Sequence, residues 1–421
     1  MTAFEHAAVA AAAANHQSWQ AALAAVAGGL VQPLGEGTSV YLPTGGGDLQ
    51  ALYAGESADP GGLVDRVLAS ARGLGEVRDV GWWAAARDDR LAGSLLARGF
   101  QWGWRPRWMA FDLAGPAPAL PAPPGIALEE VLDDVDWQAA DLPYHDPPWE
   151  RRFGALVRQR PGRTVILAVR EGNAIRGKVI LHVQADGSVG GVYECGVAET
   201  ARRRGIGAAL TAAAVRRARE LGCRLAVLNA TPIGEPVYRR VGFVPAGWGQ
   251  TWWLLDGRAT REAPSPDLVR LVEAIADDVP ERIHEGLAAT SFEVRAKLPC
   301  GLPPLGVAVR LNRQRAARQL LREGARLDLL SAWDLGWRSR AAAMLRANPR
   351  VADRPRGRSG ATLVHRAVER GDEDLLRLLL GAGPDLRVRD RTYGSTALGW
   401  AENLGRTRLA ALLREAGSAS R

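Results

Sequence analysis

At 421 residues the chain exceeds one ordinary hydrophobic core, so two or three domains are expected. Apolar content of 47% and charged content of 24% are those of a folded globular protein, and no run of 18 apolar residues is present to cross a bilayer as a helix. The net charge of +8 falls wholly in residues 261–421, which carry 28 basic and 20 acidic residues, while residues 1–260 balance at 26 of each. Only Lys178 and Lys297 among the 54 basic residues are lysine, so the arginine excess reads as composition bias and is weak evidence for nucleic acid.

The N-terminus, MTAFEHAAVAAAAANHQSW, holds an alanine run preceded by Glu5 and by no Lys or Arg. It therefore predicts a helix of a cytoplasmic protein rather than a signal peptide. Residues 94–113, SLLARGFQWGWRPRWMAFDL, read as a short helix, a Gly99-Phe100 corner and an aromatic strand-like run. The stretch AGPAPALPAPPG, residues 114–125, has the composition of an extended spacer. Residues 141–153, DLPYHDPPWERRF, offer Tyr144, His145, Asp146 and Trp149 either as a pocket or as a Pro-rich docking loop, and the sequence leaves both open.

Residues 164–183 read as a hairpin turning at Gly172-Asn173, and residues 188–199 as a third strand. In that strand Tyr193, Glu194 and Cys195 should alternate, with Glu194 on the face opposite the other two. Ile206, Leu210, Ala213, Ala214, Ala218 and Leu221 recur at helical spacing, and Gly222 stands where a C-cap would. Arg202-Arg203-Arg204-Gly205-Ile206-Gly207 thus lies at a strand-to-helix junction. A helix N-terminus there presents unpaired N–H groups, glycines allow close backbone approach, and arginines add charge, a combination suited to a pyrophosphate. A dinucleotide fingerprint would require a third glycine where Leu210 stands, and a P-loop would require Gly-Lys-Ser/Thr. A strand follows at residues 225–231, and then PVYRRVGFVPAGWGQTWWLL at 236–255. Its Gly242-Phe243 repeats Gly99-Phe100 at an offset of 143 residues, which implies two copies of one fold.

Beyond a softer break at residues 257–267, Thr362, His365, Ala367, Gly371 and Leu378-Leu379 have counterparts 34 residues later at Thr396, Gly399, Ala401, Gly405 and Leu412-Leu413. Ala308, Leu320 and Gly324 fit the same spacing. This pattern resembles the ankyrin repeat over roughly residues 266–417, in about five units.

The R-x-x-G-x-G motif at 202–207, its strand-helix-strand setting, and Tyr238 four residues before Gly242-Phe243 together resemble the GNAT superfamily of N-acetyltransferases over residues 126–257. The resemblance implies acetyl-CoA as donor and an amine as acceptor. It also implies cofactor contacts from Cys195, Val197, Arg202, Arg203, Arg204, Gly205, Ile206, Gly207, Ala208 and Asn229, with no metal. It places Tyr238 as the acid that protonates the departing thiolate. Glu194, unusual in mid-strand, is the candidate base, with a bound water as alternative. Cys195 lacks a partner base in the sequence and reads as a small strand residue. In the first copy the 143-residue offset puts Asp59, Gly62, Val64 and Leu95 where Arg202, Gly205, Gly207 and Tyr238 stand, so that copy reads as degenerate. Trp82, Trp83, Trp102, Trp104 and Trp108 are then expected to pack against the second copy.

The sequence therefore predicts an α+β protein: a degenerate GNAT-like domain at 1–113, a linker at 114–125, a catalytic GNAT domain at 126–257 and an all-α ankyrin solenoid at 264–421. The expected activity is acetyl transfer to a primary amine on a small molecule or protein, in the cytoplasm, with a protein partner on the repeats. The alternatives are a non-catalytic ankyrin scaffold and an enzyme acting on a tRNA-linked amine.

Overall fold

The computed structural model describes residues 2–35, 38–42, 47–53, 57–74, 77–116, 118, 120, 123–131, 142, 147–159, 162–232, 234–257, 265–290 and 292–419. Contacts divide the chain into two compact units, residues 1–265 and 266–421. No helix among the described residues is long and apolar enough to cross a membrane.

The first unit contains two mixed sheets. One is built from β1 (Leu30–Gly35), β2 (Thr38–Leu42), β3 (Gly47–Leu52), β4 (Val77–Ala84) and β5 (Gln101–Trp102), with helices α1 (Ala3–Val26), α2 (Pro60–Leu74) and α3 (Asp89–Ala97) interleaved in the chain. After β6 (Arg107–Asp112), the second copy supplies β7 (Ala127–Val131), α4 (Pro147–Gln159), β8 (Thr164–Glu171), β9 (Ala174–Val183) and β10 (Val189–Val197). It continues through α5 (Ile206–Glu220), β11 (Leu225–Ala230), α6 (Glu235–Val241), β12 (Val244–Trp248) and β13 (Gln250–Leu254). The hairpin turns at Gly172-Asn173, and α5 ends before Gly222, which takes φ +85°, as the sequence signals imply.

The sheets exchange their last strands. Strand order is β1-β2-β3-β4-β13-β5 in one sheet and β12-β6-β11-β10-β9-β8-β7 in the other. The first copy's β6 pairs antiparallel with β11 along Leu225–Ala230 and with β12 on its other edge. The second copy's β13 is inserted between β4 and β5. The 143-residue offset carries β6 onto β13, so the exchange is reciprocal. Tryptophans fill the exchanged region. Trp252 pairs in register with Trp82, and its ring centroid lies 5.6 Å from that of Trp102. Trp83 lies 5.7 Å from Trp104, and Trp108 donates from Nε1 to the Ala85 carbonyl at 2.7 Å.

Helix α1 binds the two copies together. Thr2 and Glu5 form a capping box at its start, and Ala8, Ala12, Ala13 and Ala22 are buried. Small side chains allow the close approach, and a few polar ones fix it. Asn15 Nδ2 donates to the His182 and Val189 carbonyls, while Tyr193 Oη donates to Asn15 Oδ1 at 2.7 Å. A Cβ at Gly191 would lie 2.0 Å from Asn15 Oδ1, so glycine is required there for this contact. Trp19 stacks on Tyr193 at 5.2 Å and on Phe153 at 5.8 Å. His16 reaches the other copy, with Nδ1 2.5 Å from Tyr53 Oη.

Among the described residues, the second unit is helical and contains five consecutive helix pairs. They are α7 (Pro266–Ala276) with α8 (Pro280–Thr290), α9 (Pro304–Arg310) with α10 (Gln314–Arg322), α11 (Leu329–Asp334) with α12 (Arg338–Ala347), α13 (Leu363–Arg370) with α14 (Glu373–Leu380), and α15 (Ala397–Asn403) with α16 (Thr407–Ala419). The repeat spacing is a packing spacing: Ala308 and Leu320, Ala367 and Leu379, and Ala401 and Leu413 are all buried. Thr362 and Thr396 cap α13 and α15. His365 completes the Thr362 capping box, and its Nε2 lies 3.1 Å from the Ser395 carbonyl.

Burial lowers the His16 pKa to about 3. The unfolded chain takes up this proton near pH 6.5 and the native state does not, so stability falls as pH drops from about 6.5 toward 3. The slope for this one group approaches about 1.4 kcal/mol per pH unit. His16→Gln keeps a hydrogen-bonding side chain and removes the titration. Calorimetric scans should show the Tm loss between pH 7 and pH 5 shrinking in the variant; an unchanged loss would contradict this assignment.

Candidate active site

The parallel strands β10 and β11 separate. They pair only from Val189–Gly191 with Leu225–Val227, although β10 runs on to Val197 and β11 to Ala230. A wedge therefore opens between their C-terminal halves, and α5 begins after the end of β10. The corresponding strands of the first copy stay joined: β3 pairs with β4 from Gly47 through Leu52, and the Tyr53 amide continues the ladder to the Trp83 carbonyl.

At the start of α5 the chain passes through Arg203 at φ +62° and Gly205 at φ +85°. Gly205 is the N-cap and provides no side chain to the first turn. Ile206 and Ala208 bury their side chains in the core, so what they offer outward is the backbone amide. Among the described residues, a Cβ at Gly207 would meet Val197 at 3.6 Å and Val237 at 3.8 Å, both ordinary contacts. Packing against these residues thus does not require glycine at 207, and its missing side chain leaves open space on this side of α5. Arg202 reaches back to the Val197 carbonyl at 3.5 Å. Arg204 turns away and pairs with Glu171 at 2.6 Å, while Glu171 also holds Arg176 at 3.0 Å.

The equivalent helix start in the first copy is closed from within. Asp59 Oδ1 accepts from the Gly62 amide at 2.9 Å, so a carboxylate of the chain caps this helix start. An incoming phosphate would meet both that side chain and its charge.

The alternation expected for Tyr193, Glu194 and Cys195 does not hold. The register between β9 and β10 shifts between Tyr193 and Gly196, and Glu194 takes φ +49°. This bulge inserts an extra residue and sends Tyr193 and Cys195 to opposite faces. Tyr193 packs on α1, whereas Cys195 Sγ lies 3.8 Å from Thr211 Oγ1 of α5. Burial pushes the Cys195 thiol up, against opposing hydrogen bonds to Thr211 and Tyr238. A neutral thiol at this place suits packing and positioning rather than nucleophilic attack.

Tyr238 sits on α6 with its ring centroid 6.3 Å from that of Phe243, and its side chain meets Cys195. The bulge thus brings the ends of β10, α5 and α6 to one place. Burial raises the Glu194 pKa, and the charge of Lys178 pulls it partly back. Lys178, on the neighbouring strand β9, is 1% exposed with Nζ 4.8 Å from the Phe153 ring. Sequence reasoning passed over this residue, although it is one of only two lysines in a chain that otherwise uses arginine. Asn229 stands on the separated part of β11, opposite Trp108 of β6, and its side chain makes no hydrogen bond among the described residues. Trp149 falls within α4, while Tyr144, His145 and Asp146 lie outside the described residues. No cluster of three or more potential metal ligands occurs among the described residues.

Two family models match the chain. The acetyltransferase (GNAT) family model matches residues 130–243, and the ankyrin repeat model matches residues 359–391. No curated protein matches the sequence. Among solved structures, a GCN5-related N-acetyltransferase from Kribbella flavida is similar at 20% identity, covering 57% of this chain and 95% of its own, with a TM-score of 0.44. A tandem GNAT protein from the clavulanic acid biosynthesis pathway is similar at 18% identity, covering 52% of this chain and 78% of its own, with a TM-score of 0.41. A GCN5-related N-acetyltransferase from Sphaerobacter thermophilus is similar at 18% identity over 52% of this chain and 76% of its own, with a TM-score of 0.39.

Because the Glu194 pKa is raised, the native state holds its proton to higher pH than the unfolded chain does. Stability contributed by this group is therefore lost as pH rises above the unfolded carboxylate value of about 4.3. Glu194→Gln should raise Tm at pH 7, leave it nearly unchanged at pH 4, and lower turnover. A lower Tm at both pH values would show that Glu194 is a structural residue.

Proposed function

Starting from a chain that carries a GNAT acetyltransferase domain and an ankyrin repeat, we propose that residues 126–257 transfer an acetyl group from acetyl-CoA to a primary amine by direct attack on the thioester. The observation that carries this reading is the open N-terminus of α5, with Gly205 in a left-handed conformation and Gly207 leaving space, set beside two separated strands. The first copy, residues 1–113, is assigned a structural role and the helical unit, residues 264–421, a binding role.

Acetyl-CoA supplies an activated acyl group and a thiolate leaving group. The amides of Ile206, Gly207 and Ala208, with the charge of Arg202 and Arg203, would hold its pyrophosphate. Cys195 and Val197 on β10 and Asn229 on β11 line the wedge that would take its pantetheine arm. Arg204 contributes less directly, since its pairing with Glu171 braces the loop against the β8–β9 hairpin.

The acceptor amine must lose a proton to attack, and Glu194 is the base placed for it, directly or through a water. The positive charge of Lys178 favours the ionised carboxylate that this role requires. Tyr238 then donates its proton to the departing sulfur. Cys195 touches both the α5 turn and Tyr238, and so holds the acid's hydroxyl near the cradle. On this reading the acceptor side would be walled partly by the first copy, whose Trp19 stacks on Tyr193 and Phe153.

Gly207→Asp should abolish acetyl-CoA binding, since a carboxylate would meet the pyrophosphate. Tyr238→Phe should leave the dissociation constant nearly unchanged and lower kcat about 10²-fold, the usual scale of a lost general acid. Titration and a steady-state assay with a small primary amine separate these effects. Equal kcat for Tyr238→Phe and the unmodified chain across pH would remove Tyr238 from the chemistry.

A further inference from the structure

The helical unit contains a cationic cleft of about 530 Å³ lined by Arg318 of α10 and by Gly336, Trp337, Arg338, Ser339 and Arg340 at the start of α12. The stretch that carries it is short of negative charge: residues 314–350 hold eight arginines against Glu323, Asp328 and Asp334, and the nearby Asp372 is engaged by Trp333 Nε1 at 2.8 Å. Those three carboxylates are engaged elsewhere. Glu323 Oε1 lies 2.8 Å from His284 Nδ1, Asp334 pairs with Arg370 at 2.6 Å, and Asp328 caps α11 through the Ser331 amide. Among the described residues, no carboxylate lines the cleft. Arg318 and Arg340 form no ion pair among the described residues; their guanidinium carbons lie 5.8 and 5.6 Å from the Trp337 ring centroid.

Trp337 is a fixed platform. Its Nε1 donates to Gln314 Oε1 at 2.7 Å, and Gln314 Nε2 donates to the Leu335 carbonyl at 2.8 Å. Arg338 lies 3.5 Å from the Trp333 ring centroid and donates to the Trp333 carbonyl at 2.5 Å. Indole contacts restrain guanidinium groups without neutralising them, and their N–H edges stay available for bidentate bonds to carboxylates. Trp337 begins α12 without any side-chain cap on its first turn, which adds to the preference for negative charge.

We propose that this cleft binds an acidic, Asp/Glu-rich segment of a partner protein. Charge complementarity and the fork geometry of the arginines favour carboxylates. A nucleic acid would use Trp337 to stack a base, and its ring is already attended by two guanidiniums.

The test uses the full chain and a fluorescein-labelled deca-glutamate peptide, followed by fluorescence anisotropy at physiological salt. The peptide should bind, and the double variant Arg318→Glu/Arg340→Glu should weaken it at least tenfold while leaving Tm and acetyl-CoA binding unchanged. A control of equal charge change, Arg270→Glu/Arg282→Glu, lies on exposed, ion-paired arginines of the same unit and should alter the affinity less than twofold. Absence of peptide binding to the unmodified chain, or an equal loss in the control, would overturn the proposal. Tighter binding of deca-uridylate than of the peptide, lost in the cleft variant, would overturn it in favour of RNA.

Discussion

The exchange of β6 and β13 is the constraint on which the first unit depends. Each copy folds a sheet whose penultimate place is filled by the other copy's last strand. Without β6, strand β11 would lose its six-residue antiparallel ladder and expose an edge in the middle of a core. Without β13, Trp82 and Trp102 would lose Trp252, which is fully buried on the strand between theirs. Each copy therefore needs the other's last strand to complete its sheet, whatever chemistry it carries. Helix α1 strengthens the same bond, since Asn15 and Trp19 fasten it to the strand that carries Glu194.

Within this shared framework a few residues make the two copies different. In the second copy β10 and β11 separate after three pairs, and the helix that follows begins at glycine. In the first, β3 and β4 remain paired, and Asp59 fills the helix start. The same architecture yields a helix start without a side-chain cap in one place and a self-capped turn in the other. The cost of openness is visible at Glu194, which takes a left-handed backbone conformation and a raised pKa beside buried Lys178. Strain and a perturbed carboxylate at one bulge are what a site retained for function would show.

Much of this was legible in the sequence because the signals were local. Gly172-Asn173 marks the hairpin, Gly222 ends α5, and Gly99-Phe100 with Gly242-Phe243 reveals the duplication. The alanine and leucine spacing of the repeats marks buried positions directly. The strand exchange was not legible, since an aromatic strand pattern states which face is buried and not which neighbour it joins. The bulge was hidden for a related reason: nothing in the residue type of Glu194 announces a positive φ. Arg204 is equivalent to Arg202 and Arg203 in the sequence pattern, and only the fold brings it to Glu171, 33 residues away. Lys178 did carry a signal, its rarity, but only its place beside Glu194 gives that rarity a meaning.

The central claim is that two copies of one fold make a single cofactor site. Isothermal titration calorimetry of the full chain with acetyl-CoA tests it most directly. A stoichiometry near one per chain is the result this account requires. Two sites per chain would contradict it, because the helix start closed by Asp59 would then be binding a pyrophosphate.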